Sequence, residues 1–275
     1  MIPKSSHSTP ISQGLNDVVV GDIRIHFRCS GEGDPVVFIH GLAEDHSSWD
    51  GVIEHLKLGY AYYAVDLRGH GGTSVGQGNG TASQLAGDLI GWLEKCTGPA
   101  ICVGFSLGGV VVLEAALQRP DLVKKVIAVG TSSKVGRAAA EFFGERISQI
   151  QTDMPAFRLA LGLDTAAQVV RNTAAVDSIS ARRVKAVGDG SGYINAAKAM
   201  VALSANPMTE RLREIRVPVH IVQGLDDVFC PKKAADILRE AMPHATYVEI
   251  PQAGHLIAAD QPERLASEIF RALDI

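Results

Sequence analysis

Three short stretches of this chain carry residue types that together could perform nucleophilic catalysis. The first is Val103-Gly104-Phe105-Ser106-Leu107-Gly108-Gly109. An apolar run, Ala100-Ile101-Cys102-Val103, leads into this Gly-x-Ser-x-Gly pattern, and a helix-like run over 110–118 follows it. A serine at a tight strand-to-helix turn is held in a strained backbone conformation, with its hydroxyl raised above the sheet edge. Gly104 and Gly108 suit such a turn, because a Cβ at either would collide with the strand or helix alongside. The amide of Leu107 then presents a helix N-terminus to a developing oxyanion. A bare pentapeptide would fit an ordinary Gly-rich turn as well; the strand before it and the helix after it favour the nucleophile.

A serine hydroxyl attacks poorly unless a base removes its proton, and the base needs a third group to orient it. Two later stretches offer these. Gly224-Leu225-Asp226-Asp227 follows an apolar run over 217–222, and Gly254-His255 follows another over 246–250. At this level either aspartate can be the acid, and His255 could equally cap the last helix. Nine histidines are present, so one alone means little.

The elements that must position these residues alternate in type. Runs over 17–20 and 23–29, joined by Gly21-Asp22, predict a β-hairpin. Val36-Val37-Phe38-Ile39 is a continuous apolar run of the kind found in strands covered on both faces, and 60–65, 100–103, 123–129, 217–222 and 246–250 share its character. Amphipathic helices lie between them. Leu85, Leu89, Leu93 and Cys96 share one face of 81–96, with Thr81 and Gln84 as a capping box. Ala234, Ile237, Leu238 and Ala241 do so in 232–242, opened by Pro231. Leu265, Ile269 and Leu273 mark a last helix, with Asp260 and Glu263 as its cap pair. Eight strands alternating with helices predict a mostly parallel sheet covered on both faces. The three chemical stretches then fall on loops at the carboxyl ends of strands, where open α/β sheets place their sites.

The alternation breaks over 132–216, which shows only helical patterning. Phe142, Phe143, Ile147 and Ile150 predict one helix; Ala166, Val169 and Val170 a second; Ala196, Ala199, Met200 and Leu203 a third. A structureless loop of that length would be unusual, so the segment is expected to be an inserted helical cap or lid. The expected organisation is a lead-in over 1–14, a core over 15–131 and 217–275, and the cap over 132–216.

Composition narrows the class. The chain has 275 residues, of which 46% are hydrophobic and 20% charged, as expected of a globular protein with a well-filled core. A formal net charge of −4 provides no basic stripe for nucleic acid or an anionic membrane. No apolar run approaches the roughly 20 residues of a membrane span, and the N-terminus lacks the apolar centre of a secretory signal. The four cysteines, Cys29, Cys96, Cys102 and Cys230, form no C-x-x-C pair or disulfide-framework spacing, which points to a reducing cytoplasm. Neither zinc-protease spacing nor a phosphate-binding lysine-serine signature is present, so no metal or cofactor is expected.

These motifs resemble those of the α/β-hydrolase superfamily over nearly the whole chain. The match rests on Phe38-Ile39-His40-Gly41, Asp66-Leu67-Arg68-Gly69-His70-Gly71, the Ser106 pentapeptide, and the pair Gly224-x-x-Asp227 and Gly254-His255. The resemblance implies the fold of that name, with the chain order nucleophile, acid, histidine. It places the acid at Asp227, with Pro231 four residues on, and a second oxyanion donor at Leu42. It also implies a cap that shapes the pocket.

The remaining polar residues have plainer readings. His40 and His70 are expected to bond nearby backbone, Asp66 to pair with Arg68, Asp45 and His46 to sit at a solvated helix start, and Cys230 to be a packed thiol. The cap arginines Arg137, Arg158, Arg171, Arg182 and Arg183 read as a solvated face, although one could clamp a substrate carboxylate.

The function expected is hydrolysis of a small carboxylic ester or lactone by a monomer or homodimer, on a substrate that is partly apolar or carboxylate-bearing. Alternatives keeping the same residues are C–C, amide or thioester hydrolysis, or a ligand receptor in a hydrolase shell. Leu256 stands where C–C hydrolases of the superfamily usually carry Trp. Ser106 replaces the aspartate of the dehalogenase and epoxide-hydrolase branches, and Phe105 the histidine that precedes the nucleophile in cofactor-free dioxygenases.

Overall fold

A computed structural model of the chain describes residues 13–273. All but the end of the expected lead-in over 1–14 lies outside the described residues. The strands are β1 (Gly14–Val20), β2 (Ile23–Gly31), β3 (Gly33–Ile39), β4 (Gly59–Val65), β5 (Ala100–Phe105), β6 (Val123–Val129), β7 (Val219–Gly224) and β8 (Thr246–Ile250). They form one sheet in the order β1-β2-β4-β3-β5-β6-β7-β8. The β1–β2 hairpin and the β2–β4 pair are antiparallel, and all other pairings are parallel. The eight strands are those expected from the apolar runs.

The helices are α1 (Asp50–Ile53), α2 (Ala82–Cys96), α3 (Leu107–Gln118), α4 (Arg137–Thr152), α5 (Met154–Gln168), α6 (Val176–Val187), α7 (Ser191–Ala205), α8 (Lys232–Ala241), α9 (Ile257–Asp260) and α10 (Pro262–Leu273). Alternation along each strand sends successive side chains to opposite faces. On β3, Val37 joins one core with Leu85, Leu89 and Trp92 of α2, Val110 of α3 and Leu238 of α8. Its neighbours Val36 and Phe38 join the other, with Val52 of α1 and Leu265 and Ile269 of α10. Both faces are thus covered, which is why these strands read as unbroken apolar runs. Among the described residues, no helix is long and apolar enough to cross a membrane.

No strand occurs between β6 and β7; α4 to α7 fill that interval as a helical insert. Ile150, Phe157, Leu161, Val187, Tyr193 and Ala197 give it a small core of its own, closed from below by Ala43 of the loop after β3. Two details differ from the expected helices. Residue 168 ends α5, and Val169 is extended (φ −108°, ψ 124°), so Val169 and Val170 lie past the helix they were expected to mark. The helix α6 was not anticipated. Its inward face interrupts Ile179, Ala186 and Val187 with the charged Arg183, which hides the apolar period.

Three polar expectations are also corrected. Thr81 Oγ1 accepts from the Gln84 amide at 3.1 Å, but Gln84 Oε1 turns back to the Asn79 amide, so the capping box is only half made. Arg68 does not pair with Asp66. A tight turn follows β4, with the His70 amide on the Leu67 carbonyl, and it sends the two side chains apart. Arg68 grips Asp88 and Asp22 instead, holding Asp22 down to about 2, while Asp66 bonds His46. The third concerns Asp260, the last residue of α9, which does not cap α10. Its carboxylate accepts from the amides of Val170, Arg171 and Asn172 and from Gly254, at 2.9–3.0 Å.

Candidate active site

The chain leaves β3 toward β4 on one side of it and later returns to build β5 on the other. This is the point where a parallel sheet opens a crevice at its carboxyl edge. The loop carrying Leu42 leaves β3 there, and Ser106 follows directly on β5. Ser106 has φ 52° and ψ −114°, a conformation that a side chain rarely adopts. Several bonds hold it: its amide donates to the Val129 carbonyl at 2.9 Å, and its own carbonyl accepts from Thr131 Oγ1 at 2.6 Å and the Gly109 amide at 3.0 Å. A Cβ on Gly104 would stand 2.2 Å from the Gly108 carbonyl, and one on Gly108 would stand 2.2 Å from the Ile39 carbonyl. The glycines are therefore fixed by how closely α3 is pressed against β5 and the loop after β3.

From the ends of β7 and β8 come the other two groups. His255 Nε2 lies 3.0 Å from Ser106 Oγ, and His255 Nδ1 lies 2.8 Å from Asp227 Oδ2. Asp227 Oδ1 accepts from the amides of Phe229 and Cys230 at 2.9 and 2.8 Å, and the carboxylate side chain is wholly buried. Asp226, the alternative acid, is exposed. Asp227 Oδ2 facing Nδ1 is an arrangement that can orient the ring and hold the tautomer with hydrogen on Nδ1, with Nε2 turned to the serine hydroxyl. Phe105 and Phe229 flank the imidazole, with ring centroids 5.0 and 5.8 Å away. The sequence assigns neither aromatic a role beside the histidine, since nothing in their spacing brings them to it.

The loop over 40–44 is fixed from three directions. The Leu67 amide donates to His40 Nε2 at 2.9 Å, so the ring proton sits on Nδ1 and is given to the Gly41 carbonyl at 2.7 Å. Glu44 Oε2 accepts from the Gly41 amide at 3.0 Å, and Arg183 of α6 donates to the Leu42 carbonyl at 3.3 Å. His70 bonds the Arg68 carbonyl, and burial pushes its pKa down to about 4. Both histidines therefore hold backbone, as expected. Leu42 and Leu107 line the same cavity as Ser106 and His255. Leu107 opens α3, where the first amides of a helix lack intrahelical partners.

The cavity has a volume of about 340 Å³, within the range that holds small ligands. The sheet edge forms its floor, with Val228 and Phe229 at one side. The insert forms its roof through Phe142 and Phe143 of α4, Leu161 and Gln168 of α5, Arg183 of α6, and Tyr193 and Met200 of α7. Arg146 and Asp164 pair at 2.8 and 2.9 Å, tying α4 to α5 over it. Of the five insert arginines picked out in the sequence, Arg137, Arg158, Arg171 and Arg182 are exposed and Arg183 is buried; Arg146, engaged with Asp164, is buried as well. Cys230 lines the pocket as a neutral thiol, its pKa raised by burial.

One group among the described residues is close enough to share an ion: His26, His46 and Asp66, with ligand atoms within 4.8 Å of one another. Its atoms are committed to hydrogen bonds. Asp66 Oδ1 accepts from both the amide and Nδ1 of His46, Asp66 Oδ2 from Gly72, and His26 Nδ1 faces Asp17. The arrangement ties β2 to the loops after β3 and β4. His46 and Asp45 do not line the cavity; Asp45 caps the turn His46–Trp49 through the Ser47 amide.

Known proteins align with this chain over nearly its full length. A pimeloyl-(acyl-carrier protein) methyl ester esterase of Nitrosomonas europaea is 26% identical, over 88% of this chain and 97% of its own. A 3-oxoadipate enol-lactonase of Acinetobacter baylyi is 25% identical over 92% and 94%. Among solved structures, the enol-lactonase from Burkholderia xenovorans superposes with a TM-score of 0.85 at 22% identity, covering 94% of this chain and all of that one, a likeness of fold. The family described as alpha/beta hydrolase fold matches residues 34–262, and it is to this family that the chain belongs.

Proposed function

We propose that the protein is a serine hydrolase that cleaves a small carboxylic ester or lactone through an acyl-enzyme. The observation that carries this reading is the relay from Ser106 Oγ to His255 Nε2 at 3.0 Å and from His255 Nδ1 to Asp227 at 2.8 Å, opening into a largely apolar cavity. The ester and lactone chemistry in the names of the two relatives supports it.

His255 takes the proton of Ser106 as its oxygen attacks the substrate carbonyl carbon. Asp227 stabilises the imidazolium that forms, and the amides of Leu42 and Leu107 receive the negative oxygen of the tetrahedral intermediate. His255 then gives its proton to the leaving alkoxide as the ester C–O bond breaks. A water activated by His255 attacks the acyl-enzyme in the second half, releasing the acid and restoring Ser106. In a lactone the leaving group stays attached, so one hydroxy acid is the product.

The test is Ser106→Ala assayed against p-nitrophenyl esters, methyl esters and lactones. Turnover of the accepted substrates should fall by a factor of about 10⁴ or more, with an unchanged circular dichroism spectrum. Undiminished turnover, or a wild-type serine that a fluorophosphonate fails to label, would remove the assignment. Complete labelling with no turnover of any member of the panel would favour a receptor.

A further inference from the structure

Arg183 is only 7% exposed, yet no carboxylate among the described residues pairs with it. Asp164, the acid on the neighbouring cap helix, is already bound to Arg146. Glu44 contributes the strongest favourable charge at Arg183 but makes its hydrogen bond to the Gly41 amide. A guanidinium keeps its charge in a protein and offers five N–H donors. Two are used, by Thr165 Oγ1 at 2.8 Å and the Leu42 carbonyl at 3.3 Å. The Nε donor is buried and unpartnered, which leaves the guanidinium with unspent donor capacity of the kind a carboxylate takes up. In the same cavity lining, Gln168 Oε1 is also buried and without a partner. A buried cation with no carboxylate bonded directly to it destabilises a fold, and such groups cluster where their field acts on a ligand.

Resting on the ester-hydrolase reading above, we propose that Arg183 is the recognition site for a substrate carboxylate, and that the substrate is an ester or lactone whose acyl chain carries a free carboxylate group. The guanidinium reaches the carbonyl of Leu42, the residue whose amide faces the reacting oxygen. A carboxylate held by Arg183 is therefore separated from the scissile carbonyl by about two to five carbons. The apolar lining of the same cavity, which includes Phe143 and Leu161, accommodates the methylenes. The product is a dicarboxylic acid, so the preceding reaction must supply a diacid esterified, or closed as a lactone, at one end only.

The experiment compares monomethyl esters of succinate, glutarate, adipate and pimelate with the corresponding neutral half-amides. The wild-type chain should prefer the best anionic ester by about 10- to 100-fold in kcat/KM, as charged hydrogen bonds of this kind contribute. Arg183→Met should collapse that ratio toward one, chiefly through KM, and Arg183→Lys should retain part of it. Any common loss in both substrates reports the Leu42 contact and cancels in the ratio. Binding is read separately by calorimetry of the free diacids with Ser106→Ala, where adding Arg183→Met should weaken Kd by a similar factor. A wild-type ratio near one, a ratio unchanged by Arg183→Met, or diacid binding that ignores Arg183 overturns the proposal. Failure of the hydrolase reading would look different: Ser106 would resist fluorophosphonate labelling while diacid binding still depended on Arg183.

Discussion

Asp260 offers the sharpest test of how the insert and the histidine loop are joined. Its buried carboxylate accepts four backbone amides, from Val170, Arg171 and Asn172 just past the end of α5 and from Gly254 beside His255. Asp260→Ala leaves these donors without their acceptor, in a site where Asp260 and Gly254 are buried and residues 170–172 are exposed. Charge-assisted bonds contribute about 1.5–3 kcal/mol each, but the four share one carboxylate and relax together. The expected cost is about 3–5 kcal/mol, near the upper end for single substitutions. Asp260→Asn should cost about 2–4 kcal/mol, because its NH₂ group faces two amide donors that need an acceptor. Urea denaturation measures both. Because Gly254 precedes His255, turnover should also fall, and amide exchange should quicken at residues 170–172 and 254 before the β-sheet opens. A loss below about 1 kcal/mol in Asp260→Ala, with exchange unchanged at those four amides, would refute the reasoning.

Asp227→Asn keeps the volume but presents the wrong group to His255 Nδ1, so kcat should drop by about 10³- to 10⁴-fold with no change in Tm beyond a few degrees. Gly108→Ala forces a Cβ within 2.2 Å of the Ile39 carbonyl and should cost about 3 kcal/mol or more, whereas Gly87→Ala on α2, with nothing within 4 Å, should stabilise by about 0.5–1 kcal/mol; paired thermal melts decide. His70 is neutral in the fold down to about pH 4, while in the unfolded chain it protonates near 6.5. Its contribution is therefore complete above pH 6.5 and is lost as the pH falls toward 4, by about 3 kcal/mol. His70→Gln should lose correspondingly less stability than wild type between pH 7 and pH 4.5 in matched urea titrations.

Much of this molecule could be read from local pattern. The sheet was legible because strands covered on both faces are apolar throughout, and the turn around Ser106 because close packing excludes any residue but glycine at 104 and 108. His255 and the Asp226–Asp227 pair could be picked out because each follows a strand, and the resemblance to the superfamily's Gly-x-x-Asp spacing selected Asp227. Where an exposed face, a charge or a distant partner set the outcome, pattern failed. The helix α6 went unseen because Arg183 interrupts its apolar face. Arg68 was paired with its near neighbour, although a turn separates them and its partners lie 46 and 20 residues away. Asp260 looked like a helix cap because local spacing cannot reveal that residues 170–172 arrive beside it.

The amino-acid order by itself thus determined the strand and helix succession, the strained turn, and which residue types could act as nucleophile, base and acid. These depend on side-chain period and steric exclusion over a few residues, which a chain carries wherever it goes. Tertiary structure alone decided that Phe105 and Phe229 enclose the imidazole, and that of the five insert arginines picked out in the sequence only Arg183 turns inward to the cavity. Each is a contact between segments tens of residues apart, set by how the sheet, its loops and the insert close on one another, and no local period encodes it.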